Sequence, residues 1–510
     1  MADEKDEGLE CYEQALDILK TRCSMKKGKI AALLNMIANE HVARGENRRA
    51  FKLFEESLKC RKEMVGFVHV DVATTLVNMA RLHQQREKWE KSLRCLEEAL
   101  RIRKLRLGDS EKVASTLELI GNLSKEIGQL KKAEMAYEEA LRILRGLHGD
   151  NHASVANILH EMGDLMDDIS EYDEAINNFS ECLEIRKRSL GYDHEDVAET
   201  LYSMGFALHN HGEQEEALDC LDDALQVRRQ RFGNDHELVG DCLNIMGFIE
   251  SKKGEHEVAL ELLDEALEIR QQNGDTLKAA DTLKNIGNIH KDRKEYVAAI
   301  DCYDDCLRAR KRELGLNDER VADAQLALGN VYSEMGENEE ALHCFSEALK
   351  IRRIVFGGLD DRVAACLQTM GIIEFRAGNM ERGREHLEDF VRIRKNNHTD
   401  ESADYVNVLF IIGNIHKIQG HDIDAKRAWA EAYDIFNAIG LQDENPQIAK
   451  VLTKLLSKKD KHGDGASDSK KSVFGRLKSN FTNEKVIKPT KKQPMKDVSG
   501  SSSSTRLVIE

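Results

Sequence analysis

The chain has 510 residues, of which 41% are apolar, 33% charged and only 5% aromatic, and its three prolines are Pro446, Pro489 and Pro494. So long a proline-free run, rich in Ala, Leu, Glu, Lys and Arg and without β-branched stretches, predicts helix throughout and argues against sheet-based enzyme folds. The formal charge of −17 is uneven: residues 457–510 carry thirteen Lys and Arg against six Asp and Glu, a net of +7, which leaves −24 on the rest and argues against nucleic acid as a partner.

The opening residues, MADEKDEGLE, are acidic and polar, so no secretory leader is expected. Tyr12, Ala15, Leu16, Ile18 and Leu19 then match only the second half of the unit that follows. From there one pattern recurs ten times. Its first small residue is Ala38, Ala80, Gly121, Gly163, Gly205, Gly247, Gly287, Gly329, Gly371 and Gly413, spaced by 42 residues except for one interval of 41 and one of 40. Seven residues later stand Gly45, Glu87, Gly128, Ser170, Gly212, Gly254, Lys294, Gly336, Gly378 and Gly420. Five further on stand Ala50, Ser92, Ala133, Ala175, Ala217, Ala259, Ala299, Ala341, Gly383 and Ala425.

Each unit reads as a helix hairpin. The first small residue lies inside an apolar helical pattern, as Gly205 does among Leu201, Met204 and Leu208. Gly inside a helix costs about 0.5–1 kcal/mol against Ala, so its recurrence calls for close approach of a neighbouring helix. The second Gly suits a left-handed helix cap. Ala217, Leu221, Ala224 and Leu225 share one face of the next helix, which begins acidic and ends with Arg228, Arg229 and Arg231, as the helix dipole favours. A hairpin cannot bury its apolar face alone, so the units must stack into a continuous core. After the last unit, Ile448, Val451, Leu452, Leu455 and Leu456 form an amphipathic pattern read as a capping helix over 444–457. Residues 458–510 read by composition as a basic disordered tail.

These small-residue positions resemble the tetratricopeptide repeat. The linker Leu190-Gly191-x-x-His194-x-x-Val197-Ala198, with degenerate copies at Phe232–Gly240, Leu314–Ala322 and Phe356–Ala364, resembles the 42-residue repeats of kinesin light chains. The resemblance covers about residues 8–440. It implies an all-α, superhelical solenoid of antiparallel helix hairpins: ten tandem repeats plus an N-terminal half repeat. The chain departs from the kinesin light chain pattern where Ala153, Glu195 and Glu237 replace the Pro usual after the linker His, and no heptad coiled coil is read before the repeats.

No P-loop, dinucleotide, zinc-protease or serine-hydrolase motif is present, so no catalytic residue, cofactor or metal site is expected. The eleven cysteines show no C-x-x-C and read as reduced core residues of a cytoplasmic protein; the Cys302 and Cys306 pair is read the same way. His148, His152, His194 and His236 are expected to pack or hydrogen-bond at hairpin junctions. The recurring Arg61, Arg103, Arg186, Arg228, Arg270, Arg310, Arg352 and Arg394 are expected to complement the helix dipole and form an ion pair to the next hairpin rather than an anion ladder. The cluster Glu161, Asp164, Asp167 and Asp168 is read as a solvated acidic face.

An open solenoid offers a long concave surface, so the expected function is a protein-interaction scaffold or adaptor. The resemblance implies a cargo adaptor of kinesin light chain type, with a kinesin heavy chain or cargo as partner and a cytoskeletal association. An alternative is a regulatory signalling or membrane-docking scaffold acting through its tail. There residues 470–481 place Val473, Phe474, Leu477 and Phe481 on one face among Lys470, Lys471, Arg476 and Lys478, suited to weak contact with an anionic membrane. In the resembled repeat, the first helix lines the groove through the residues three and two before the small residue and one and four after it. Those offsets select Asn35, Asn39, Asn78, Arg81, Asn122, Lys125, Asn244, Lys284, Asn285, Asn288, Lys291, Asn330, Asn414 and Lys417, with Tyr202, Phe206 and Phe248 as apolar contacts. Asn is unfavourable inside helices, but its amide can pair with the backbone of an extended peptide. Interleaved cations would select acids, so an aromatic residue flanked by acids is the expected ligand.

Overall fold

The computed structural model describes residues 2–22, 27–440, 450 and 453–455. It divides into two compact units, Met1–Ile249 and Glu250–Glu510. In the first, α1 (Ala2–Arg22) precedes five hairpins: α2 (Lys27–Ala43) with α3 (Asn47–Val65), α4 (Val70–Gln84) with α5 (Trp89–Leu107), α6 (Glu111–Glu126) with α7 (Leu130–His148), α8 (Ala153–Asp168) with α9 (Tyr172–Leu190), and α10 (Glu195–His211) with α11 (Gln214–Phe232). The division falls within α12 (Glu237–Lys253). The second unit continues with α13 (His256–Gln272), then α14 (Thr276–Asp292) with α15 (Tyr296–Leu314), α16 (Glu319–Met335) with α17 (Asn338–Phe356), α18 (Asp361–Ala377) with α19 (Met380–Asn396), and α20 (Ala403–Gln419) with α21 (Asp422–Ala438). No strand occurs among the described residues. Of the expected capping helix, residues 450 and 453–455 are described and helical, and Leu455 packs partly buried against the core of the last hairpins. The tail, with 470–481, lies outside the described residues.

The close approach expected at the small residue is present, and its partner lies sixteen positions on, in the second helix. A Cβ on Gly163 would stand 2.6 Å from the Phe179 ring. One on Gly205 would stand 2.8 Å from Leu221 Cγ and 3.0 Å from the Ala217 carbonyl oxygen. The same place is filled by Phe54, Leu96, Tyr137, Leu263, Tyr303, Phe345, Leu387 and Trp429, all buried. The turn between the two helices needs a positive φ. Gly45, Gly128, Gly212, Gly254, Gly336, Gly378 and Gly420 supply it, while Glu87, Ser170 and Lys294 adopt it with φ of 53°, 65° and 62°.

The recurring arginines staple successive hairpins. Arg186 Nη1 donates to the Asp196 carbonyl oxygen and to Thr200 Oγ1, each at 2.8 Å, in the first turns of α10. Arg103 does the same to Lys112 O and Thr116 Oγ1, and Arg270 to Lys278 O and Thr282 Oγ1. Arg228 and Arg352 reach Leu238 O and Arg362 O, with Cys242 and Cys366 in place of the Thr. The expected ion pair to the next hairpin is made by Arg186 with Glu199 at 3.5 Å; elsewhere backbone carbonyls take that place, and Arg310, Arg352 and Arg394 pair instead with Asp281, Asp323 and Asp361 of their own hairpins. Arg103, Arg186, Arg228, Arg270 and Arg310 are buried.

The linker histidines cap the first helices. Nδ1 of His69, His152, His194 and His236 accepts the backbone N–H two residues on, at 3.2 to 3.3 Å. Asp318 and Asp360 do the same with a carboxylate oxygen. Ring stacking of His148 on His152 and of Phe232 on His236 steadies two of these caps.

Replacing Glu87, Ser170 or Lys294 by Gly is expected to stabilise the chain by about 0.5–1 kcal/mol per site, since an L-residue pays for the left-handed conformation that Gly adopts freely. Gly205→Leu is expected to destabilise by about 1–3 kcal/mol through overpacking against Leu221 and the Ala217 carbonyl. Urea unfolding followed by circular dichroism checks both signs.

Candidate peptide-binding groove

Four of the residues selected by offset converge in the second unit. Lys284, Asn288 and Lys291 on α14 and Asn330 on α16 line a pocket of about 260 Å³, completed by Tyr303, Asp323, Leu326 and Ala327. The 3.6-residue period explains the convergence: residues 284, 288 and 291 fall on one stripe of α14, and the next first helix, α16, brings 326, 327 and 330 alongside. Asn285 is half-buried and does not line this pocket. Lys291 lies 3.8 Å from Asp292, and Asp323 accepts from Arg352 at 3.1 Å.

In the first unit the selected residues are more dispersed. Asn39 and Arg81 are exposed and Asn78 is half-buried. Asn122 Oδ1 accepts from the Tyr137 hydroxyl at 2.7 Å, and Lys125 pairs with Glu161 at 3.3 Å. Tyr202 lies beneath the Arg228 guanidinium, 4.5 Å from its ring centre, and Phe248 meets His209 edge to face. Phe206 is exposed and Asn244 half-buried.

Two selected residues do not reach a groove surface. Asn35 is 7% exposed and Asn414 is fully buried. Asn414 lies in a buried stretch of α20, where Ile411, Ile412 and Ile415 are buried as well. Lys417, on the same helix, is exposed and pairs with Asp422 at 2.6 Å.

The acidic cluster on α8 is not one solvated face. Glu161 is engaged by Lys125, Asp167 accepts from Asn210 at 3.0 Å, and Asp164 is buried 4.0 Å from His160 Nε2. Burial pushes His160 below the usual imidazole range. On the facing α6, Glu118 is held above the usual carboxylate range, first by burial and then by the charge of Glu161. Among the described residues no group of three His, Cys, Asp or Glu is placed to hold a metal, and Cys306 is buried in the core. Burial pushes the Cys302 thiol up to about 11.

The sequence reading missed Tyr137 and Tyr303, whose hydroxyls hold Asn122 and Asn288. Each Tyr stands fifteen residues after its Asn, and that repeated spacing was the available signal.

The array of helix hairpins, small-residue contacts and linker caps defines a repeat protein. Family models described as tetratricopeptide repeat match residues 30–71, 71–146, 126–188, 154–230, 196–272 and 278–354, more than half of the chain. The chain belongs to the tetratricopeptide-repeat family, whose arrays serve generally as protein-interaction scaffolds rather than catalysts. A search of curated proteins returns no match. Among solved structures, the signal-transduction ATPase PH0952 from Pyrococcus horikoshii, with a tetratricopeptide repeat sensor, is similar with a TM-score of 0.52 and 14% identity, covering 75% of this chain and 55% of that one. BtubC (BKLC) from P. vanneervenii is 22% identical with a TM-score of 0.41, covering 45% and 92%. A putative kinesin light chain repeat protein from Podosopora anserina is 17% identical with a TM-score of 0.37, covering 40% and 98%. No helix among the described residues is long and apolar enough to cross a membrane.

Because the folded state favours protonated Glu118, its contribution to stability is full below the unfolded carboxyl value of about 4.3 and is lost as pH rises through the higher folded value. Glu118→Gln is therefore expected to be more stable than the unsubstituted chain at pH 7 and equal to it near pH 4, read by urea unfolding at the two pH values.

Proposed function

We propose that the chain is an adaptor that holds extended, acidic peptide segments of other proteins along its first helices, with the pocket of Lys284, Asn288, Lys291 and Asn330 as the principal contact. The observation that carries this reading is the convergence of those four side chains on one pocket of about 260 Å³. Lys284 has no ion-pair partner among the described residues, and it stands in a body whose charge is otherwise strongly acidic. A carboxylate entering the pocket meets two ammonium groups and two amides, and the one acidic group of the lining, Asp323, is paired with Arg352. Charge-assisted hydrogen bonds of this kind are roughly twice as strong as neutral ones. Leu326 and Ala327 supply an apolar wall for a neighbouring aromatic side chain.

The finer reading is a cargo adaptor of kinesin light chain type. Its support is the 42-residue period and the Leu190–Ala198 linker pattern with its degenerate copies.

A fluorescein-labelled peptide of sequence DEWDE tests the groove. The full chain is expected to bind it, and combined replacement of Lys284, Asn288 and Lys291 by Ala is expected to weaken binding at least about tenfold, or roughly 1.4 kcal/mol, with the helical melt unchanged. No binding by the full chain, or equal binding by the variant, refutes the assignment. Pull-down with a kinesin heavy-chain stalk tests the adaptor reading separately; failure there leaves a scaffold without a motor.

A further inference from the structure

In the pocket on α14 and α16, Asn288 Oδ1 and Asp323 Oδ1 are each engaged by a bond within the chain, while Asn330 lines the same pocket as an amide with no such restraint. Tyr303, 1% exposed, donates its hydroxyl proton to Asn288 Oδ1 at 2.7 Å. Asp323 Oδ1 accepts from Arg352 Nη2 at 3.1 Å, and the Arg352 side chain is only 12% exposed. What remains for a ligand at these positions is Nδ2 of Asn288, which makes no bond within the chain among the described residues, and the ammonium groups of Lys284 and Lys291.

We infer that Tyr303 is a positioning residue that locks the Asn288 amide with its donor end toward the pocket, so that the site selects a carboxylate. The inference rests on the groove reading above. An unrestrained carboxamide can present either its oxygen or its nitrogen by turning about its last torsion. With Oδ1 already taken, only the nitrogen is offered, and the ligand does not have to select that orientation. Burial holds the Tyr303 hydroxyl well above its ordinary range, so it stays protonated and able to donate.

The neighbouring hairpin shows the same position without the lock. Asn330 follows Gly329 as Asn288 follows Gly287, but the residue fifteen positions on is Phe345, which has no hydroxyl. Asn330 is exposed. Asn122 and Tyr137 repeat the lock in the first unit, at the same 2.7 Å. There the partner cation, Lys125, is neutralised by Glu161. The lock therefore yields a carboxylate-selecting pocket at Asn288, where Lys284 flanks it without an ion-pair partner among the described residues and Lys291 stands only at 3.8 Å from its neighbour Asp292.

The test is a double-mutant cycle on DEWDE binding to the full chain, using Tyr303→Phe, Asn288→Ala and the two combined. Releasing one side chain's orientation and rotamers corresponds to about two- to tenfold in affinity. Tyr303→Phe is expected to weaken binding by that factor. On the Asn288→Ala background it is expected to have no further effect, because its action passes through that amide. Tyr137→Phe, which removes an equivalent hydroxyl far along the sequence, is expected to bind as the unsubstituted chain does. Unchanged binding by Tyr303→Phe overturns the inference. So does an effect that persists in full without Asn288, or an equal loss in Tyr137→Phe. Absence of binding by the unsubstituted chain overturns the groove reading itself and the inference with it. A helical melt of each variant, expected to match the unsubstituted chain, separates a lost site from a lost fold.

Discussion

The contact between the small residue of each first helix and the large side chain sixteen residues later sets the geometry on which everything else depends. A Cβ on Gly163 or Gly205 would overlap that side chain, so these two hairpins hold their spacing because the Cβ is absent, whereas Ala38 and Ala80 take the same position in the first two. The glycine weakens its helix by about 0.5–1 kcal/mol, while burying the Leu or Phe opposite contributes about 1.5–3 kcal/mol. The occupant varies among Phe, Leu, Tyr and Trp, so the contact specifies size and apolarity rather than one residue type. With the hairpin so fixed, the residue after the glycine lies within reach of the partner helix, as Asn122 and Asn288 show by accepting from Tyr137 and Tyr303.

Stacking of hairpins uses a second device, with two alternative chemistries. At most junctions a buried Arg reaches a carbonyl in the first turn of the next helix and, where one is present, a Thr hydroxyl or Cys thiol one turn further. At one junction the Arg position is Leu144 and the Thr position is Ile158, both buried in the same core. At another, buried Arg310 reaches the Arg320 carbonyl although the Thr position is Ala324, so the carbonyl contact does not require the side-chain partner.

Much of this architecture was legible in the sequence because it rests on local, repeated constraints. Glycines at fixed spacing mark both the close approach and the positive-φ turn, and the register exposes even the exceptions, Glu87, Ser170 and Lys294. The linker histidines were placed at the junction, but their role as helix caps was not read, because His is not among the usual capping residues. The groove offsets brought Lys284, Asn288, Lys291 and Asn330 to one pocket, yet they also selected Asn35 and Asn414, which are buried. An offset within one helix gives a direction only. Whether the side chain meets solvent or a hydroxyl depends on residues on other helices, as Tyr303 and Tyr137 show.

The repeat thus separates framework from chemistry. On α8 the four groove offsets hold His160, Glu161, Asp164 and Asp167, and on α14 the same offsets hold Lys284, Asn285, Asn288 and Lys291. The backbones are alike, so the difference between an acidic and a basic lining lies wholly in those few side chains and in what neutralises them. Lys125 offsets Glu161 on the acidic side, and Arg352 offsets Asp323 on the basic side. In each case an internal ion pair offsets the charge of one group and leaves the rest to set the character of the surface. The charge a ligand meets at a given hairpin is therefore fixed as much by pairs formed inside the array as by the residues that line the groove.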